Sequence, residues 1–84
     1  NYIKKLLVFI SKSNPLILDV GCGDGRHSIL INRHGGRAIG IDLSKNMIEE
    51  ARALYPDGDF QKMDMRRLLF DNDSFDGIWS SGSI

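Results

Sequence analysis

Along residues 2–10 the apolar side chains recur at helical spacing, with Tyr2, Ile3, Leu6, Leu7 and Ile10 on one stripe and Lys4 and Lys5 off it. The spacing predicts an amphipathic helix, broken by Ser13-Asn14-Pro15. The pattern then changes. Leu16–Val20 is apolar almost throughout instead of alternating, which predicts a strand covered on both faces. A second helix is expected over 25–33, with Ile29, Leu30 and Ile31 turned inward and Gly35-Gly36 as its stop. Arg37–Asp42 repeats the buried-strand pattern through Ile39 and Ile41. Ser44 is placed to cap a third helix that runs to Tyr55 and is ended by Pro56, with Met47, Ile48, Ala51 and Leu54 on its inner face. A short third strand is expected over 59–64, then a polar connection carrying Leu68-Leu69-Phe70, then a fourth strand over 75–80 with Ile78 and Trp79.

Strands alternating with helices at this spacing predict an α/β fold built on a parallel sheet with right-handed crossovers. With 84 residues the chain holds at most one small domain. Eleven basic and eleven acidic side chains cancel, so net charge gives no pointer to nucleic acid or to an anionic membrane. The single cysteine has no partner for an internal disulfide, and no apolar run approaches the roughly 20 residues that cross a bilayer. Tyr2–Ile10 is too short, and too interrupted by lysine, for a signal peptide. The expectation is a soluble, cytoplasmic protein. Because the chain opens on Asn1 and ends at Ile84 just after a strand, it is expected to be part of a longer one.

The chemistry concentrates at Ile17-Leu18-Asp19-Val20-Gly21-Cys22-Gly23-Asp24-Gly25, where an apolar strand ends in a glycine-rich turn. Glycines at alternate positions let the backbone bend sharply and let a ligand approach with no Cβ in the way. A helix opening directly afterwards would aim its free N–H groups at whatever sits there. Asp19, Gly21, Gly23 and Gly25 fill every position of an acidic-x-Gly-x-Gly-x-Gly pattern. In this the chain resembles class I S-adenosylmethionine-dependent methyltransferases, and Ile39-Gly40-Ile41-Asp42-Leu43-Ser44 is similar to that family's second motif.

The resemblance implies a Rossmann-like parallel sheet of strand order 3-2-1-4 in the part present, with the crevice for S-adenosyl-L-methionine at the carboxyl ends of strands 1 and 4. It covers nearly all of residues 1–84, which would form the N-terminal, cofactor-binding half of a single methyltransferase domain. It also implies roles. Asp19 would face the methionine ammonium, directly or through water, the alternative being an ordinary acceptor for the strand-end turn, and Gly21, Cys22, Gly23 and Gly25 would make the turn bordering it. Asp42 would accept from the ribose hydroxyls; the alternative is a helix cap. Leu43 and Met47 would lie against the adenine or serve as plain core, Asp64 would take the adenine amino group with the main chain of Met65 beside the ring, and Ser80 would face the methionine moiety. Asp64 as a solvated turn carboxylate and Ser80 as a plain polar strand end are the competing readings. No catalytic base is visible. The methyl acceptor is open, with a small molecule favoured.

Two rival functions remain. A dinucleotide oxidoreductase would carry Gly-x-Gly-x-x-Gly, with its third glycine where Arg26 stands, and a non-catalytic partner subunit could keep the same fold. Cys22 has no evident base to make it a nucleophile, Trp79 reads most simply as core, and His27 and His34 lack further ligand-type neighbours, so no metal site is expected.

Overall fold

Strand β1 (Leu16–Val20) lies inside a parallel sheet, flanked by β2 (Arg37–Asp42) and β4 (Gly77–Ser80), with β3 (Asp59–Lys62) beyond β2. The computed structural model describes residues 2–10, 13–64, 66 and 74–80. The order β3-β2-β1-β4 is the Rossmann-like one expected, and the chain reverses direction across the sheet between β1 and β4. Helices α1 (Tyr2–Ile10), α2 (Arg26–Arg33) and α3 (Lys45–Leu54) complete the described elements.

Alternate residues of β1 serve different layers. Ile17 is fully buried with Ile3 of α1, Ile31 of α2 and Ala38 of β2, and Leu6, Leu7, Ile10, Leu30 and Trp79 pack around them. Cys22, Ile48, Ala51 and Phe60 form a second cluster, joining α3 to β3. Leu18, Val20 and Ile41 pack together in a third, with Ile39, Met63 and Phe75 against it. Both faces of β1 are therefore covered, as its unbroken apolar run requires. Each such side chain withdrawn from water contributes about 1.5–3 kcal/mol.

Several expectations shift. Tyr2 is 77% exposed, because it lies a full residue step, about 100°, around the helix from Ile3. Leu54 is 54% exposed, and Tyr55 packs beside Ile48 and Ala51 in its place, at positions that share one helical stripe. β3 stops at Lys62 and β4 starts at Gly77, although Met63 N–H still donates to Asp42 O at 3.0 Å. Ile78 is 64% exposed, on the outermost strand of the described sheet, opposite Leu18 in register. Met65 and the Leu68-Leu69-Phe70 stretch lie outside the described residues. Among the described residues no helix is long and apolar enough to cross a membrane.

Candidate functional site

Gly21, Gly23 and Gly25 all adopt left-handed backbone, with φ of 70°, 55° and 89°. An L side chain at such positions meets its own carbonyl, which is why glycine stands there. The turn is tied to β2. Gly21 N–H and Cys22 N–H both donate to Ile41 O at 2.9 Å, and Gly25 N–H donates to Cys22 O at 3.0 Å. Asp42 adds a second tie, its Oδ2 accepting from Gly23 N–H and its Oδ1 from Ser44 N–H, each at 2.9 Å. One carboxylate thus fastens the turn after β1 to the turn after β2. The cap of α3 is Ser44, whose Oγ accepts from Met47 N–H at 3.2 Å.

The glycines differ in what surrounds them. A Cβ on Gly25 would stand 2.6 Å from Phe60 Cζ and 2.7 Å from its Cε1, so this glycine admits a core ring rather than a ligand. Among the described residues, a Cβ on Gly23 would meet only Met47 Cε, at 3.7 Å. Gly23 is thus more open than Gly25, and the half-buried Met47 borders it.

Asp19 is fully buried. Its Oδ2 accepts the Ser28 hydroxyl at 2.7 Å, while Oδ1 has no hydrogen-bond partner among the described residues. Burial raises its carboxyl above the ordinary range; the Ser28 hydrogen bond and the neighbouring His27 oppose the rise, and Asp42 adds to it. Ser28 of α2 is also buried, a polar residue among the apolar ones that the helical pattern turns inward. Its signal was a small polar residue three positions before Ile31, on the same helix face. Trp79, in register with Asp19 on β4, buries an unpartnered Nε1, and its ring centroid lies 5.9 Å from that of His27.

The remaining expected residues are placed less uniformly. The Cys22 side chain packs with Ile48, Ala51 and Phe60, and burial, with Asp19 and Asp42 near, pushes its thiol up to about 12. That leaves only its main chain to border a ligand. Leu43 is exposed at the end of β2. Asp64, just past β3, is neither bare nor simply solvated: Arg66 donates to its Oδ1 from N at 2.9 Å and from Nε at 3.1 Å, and to Oδ2 from Nη2 at 2.9 Å. These bonds hold its carboxyl below the usual range. Ser80 is exposed at the end of β4. The carboxyl ends of β1, β2 and β4 therefore bring together Asp19, the glycine turn, Asp42, Met47 and Ser80, whereas Met65 lies outside the described residues.

These residues fit a cationic nucleoside cofactor on two counts: Asp19 Oδ1 is a buried acceptor with no partner, and the backbone at Gly23 is unobstructed. The profile of the family described as "Methyltransferase domain" matches residues 17–84. An O-methyltransferase of Aspergillus sclerotiorum is 40% identical over 81 residues, which is 88% of this chain and 31% of that protein. A malonyl-[acyl-carrier protein] O-methyltransferase of Erwinia billingiae is 37% identical over 68 residues, 81% of this chain and 27% of its own length. Among solved structures, Streptomyces venezuelae DesVI superposes with a TM-score of 0.82 at 29% identity, over 98% of this chain and 34% of that one. A TehB-like SAM-dependent methyltransferase from Corynebacterium glutamicum does so with a TM-score of 0.76 at 28% identity, over 95% of this chain and 44% of that one. The chain spans about a third of the length of the curated relatives it matches. With its strand order, its glycine turn and a profile match over most of its residues, the chain belongs to the class I S-adenosylmethionine-dependent methyltransferase family.

Proposed function

We propose that residues 1–84 form the cofactor-binding half of a methyltransferase domain, and that the whole protein transfers a methyl group from S-adenosyl-L-methionine. The observation that carries this reading is the open left-handed turn at Gly23, tied by Asp42 and backed by the unpartnered oxygen of Asp19. When bound, S-adenosylmethionine supplies a methyl already activated by its sulfonium, so transfer is an in-line displacement governed by alignment. The main chain of Gly21–Gly25 borders the methionine moiety. Asp19, being wholly buried, acts on the ammonium through its charge and through a bridging water at Oδ1 rather than across an open surface. Asp42 retains a lone pair on each oxygen after its two backbone bonds, enough for a ribose diol. Met47 and Leu43 flank the adenine, and Ser80 faces the methionine end. Asp64 accepts two bonds from Arg66 at Oδ1 and one at Oδ2, which leaves a lone pair on Oδ2 for the adenine amino group.

For the acceptor, the relatives' names favour an oxygen nucleophile on a small or carrier-bound molecule: an O-methyltransferase, a malonyl-[acyl-carrier protein] O-methyltransferase and trans-aconitate 2-methyltransferases. Calorimetry on the full-length protein tests the cofactor. Binding of S-adenosylhomocysteine is expected, weakened by about tenfold or more in Asp42→Ala and Gly23→Val, since charge-assisted hydrogen bonds are worth about 1.5–3 kcal/mol. Preferential binding of a nicotinamide dinucleotide would overturn the reading. Transfer of labelled methyl to a panel of carboxylates and hydroxyls then tests the acceptor class, and binding without any turnover would favour the non-catalytic subunit.

A further inference from the structure

The geometry points to Ser28 as a positioning residue that holds Asp19 so that its free oxygen serves the ammonium end of the methyl donor. The inference rests on the proposed donor site and adds a residue that no motif of the sequence marks. Three observations support it. Ser28 is 1% exposed and its hydroxyl donates to Asp19 Oδ2 at 2.7 Å, so one carboxylate oxygen is occupied from the α2 side. The other oxygen is buried and has no hydrogen-bond partner among the described residues, so it is the one whose charge is left to act on the ammonium. Finally, the space for Ser28 is built into the next strand. Gly40 is the register partner of Asp19 on β2, and a Cβ there would stand 2.9 Å from Ser28 Oγ and 2.8 Å from Cys22 Cβ. The missing side chain at Gly40 is what lets α2 bring a hydroxyl down to the sheet.

Without that hydroxyl, the carboxylate loses its side-chain partner and the main interaction opposing the effect of burial, and keeps from Ser28 only the weaker interaction with its main chain. Asp19 would then turn, or hold a proton, and in either state attracts an ammonium poorly. A role limited to packing predicts something different, because loosening the turn would harm every part of the cofactor equally.

Two ligands separate these outcomes on the full-length protein: S-adenosylhomocysteine, which carries the amino-acid moiety, and 5′-methylthioadenosine, which lacks it. Ser28→Ala should weaken the first by about tenfold, the order expected for a hydrogen bond to a charged group, and leave the second within about twofold. Ser28→Cys keeps the volume and offers a weaker donor, so its loss should fall between the two. It also carries the test alone if Ser28→Ala does not fold. Equal losses for both ligands, or no loss for either, would overturn the positioning role. If the unaltered protein binds neither nucleoside, the donor site itself fails, and that result is distinguishable from the others.

Discussion

Replacing Gly25 by alanine should damage the fold, and the same change at Gly23 should damage the site. Both glycines have left-handed backbone, so alanine costs about 1–2 kcal/mol at either one from conformation alone. The difference lies in the surroundings. At Gly25 the new methyl would sit 2.6 Å from Phe60 Cζ, 2.7 Å from Phe60 Cε1 and 3.2 Å from Ala51 Cβ. Phe60 is 2% exposed, and its ring already presses on Gly40 and Gly58, where a Cβ would lie 2.9 Å and 2.4 Å from ring atoms. With no room for the ring to retreat, overpacking adds about 1–3 kcal/mol. At Gly23 the nearest atom is the flexible end of Met47 at 3.7 Å, and nothing is added.

The expected losses are therefore about 2–5 kcal/mol for Gly25→Ala and about 1–2 kcal/mol for Gly23→Ala. Urea denaturation of the full-length protein, with unchanged m-values, reads both. Trimming the obstruction should recover part of the first loss: Phe60→Leu combined with Gly25→Ala should be less destabilised than the sum of the single changes, by about 1 kcal/mol. Gly23→Ala should stay folded while its affinity for S-adenosylhomocysteine falls. Equal losses at the two glycines, or strict additivity with Phe60→Leu, would refute the division between a packing glycine and a site glycine.

Asp42→Asn should cost about 1–3 kcal/mol, because an amide has one acceptor oxygen for two backbone donors and turns its NH2 toward the other. Loss of amide-exchange protection at Gly23 or Ser44 would identify the broken tie, whereas full protection at both would count against the bridge. Asp19→Asn should act in the opposite direction. Burial lifts the folded-state carboxyl above its ordinary 3.8, with Asp42 adding to the rise and Ser28 and His27 opposing it. The folded state then binds that proton more tightly, so Asp19's contribution is fully present below 3.8 and is lost as pH climbs through the folded value. Asn at this position should raise stability at neutral pH and flatten its fall between acid and neutral; a variant less stable at pH 7, or with the same slope, would contradict the assignment.

Much of this was legible because the controlling forces are local or periodic. Leu16–Val20 could be read as a central strand since a run apolar on both faces has nowhere to go but between layers, and Ser44 as a cap since the rule concerns three consecutive backbone amides. The alternate glycines were equally visible. Their separate duties were not, because Phe60 lies 35 positions from Gly25 and reaches it only through the parallel pairing of β3 with β2. Ser28 escaped for a related reason: a lone serine in an amphipathic helix reads as surface until Gly40 opens space beneath it. For Asp64, the arginine two residues on was in plain view, but whether a carboxylate faces a ring or its own turn is a rotamer choice that spacing leaves open.

The two carboxylates at the site answer different physical needs, and this governs what mutagenesis can show. Asp42 is satisfied by the fold itself, with both oxygens bonded to amides that would otherwise lack this partner. Removing it disturbs the glycine turn before any ligand arrives, so weaker binding by an Asp42 variant mixes a lost contact with a displaced backbone. Asp19 holds one oxygen buried with no protein partner among the described residues, at a cost of about 1–3 kcal/mol for an unsatisfied buried group, more when charged. A side chain that costs the fold stability where it stands is a candidate for a role in function. Asp19→Asn that melts at a higher temperature while losing selective affinity for the ammonium-bearing nucleoside would therefore separate function from folding more cleanly than any change at Asp42. If melting temperature and affinity fell together instead, Asp19 would be a structural acceptor, and the buried oxygen would carry no argument for a ligand.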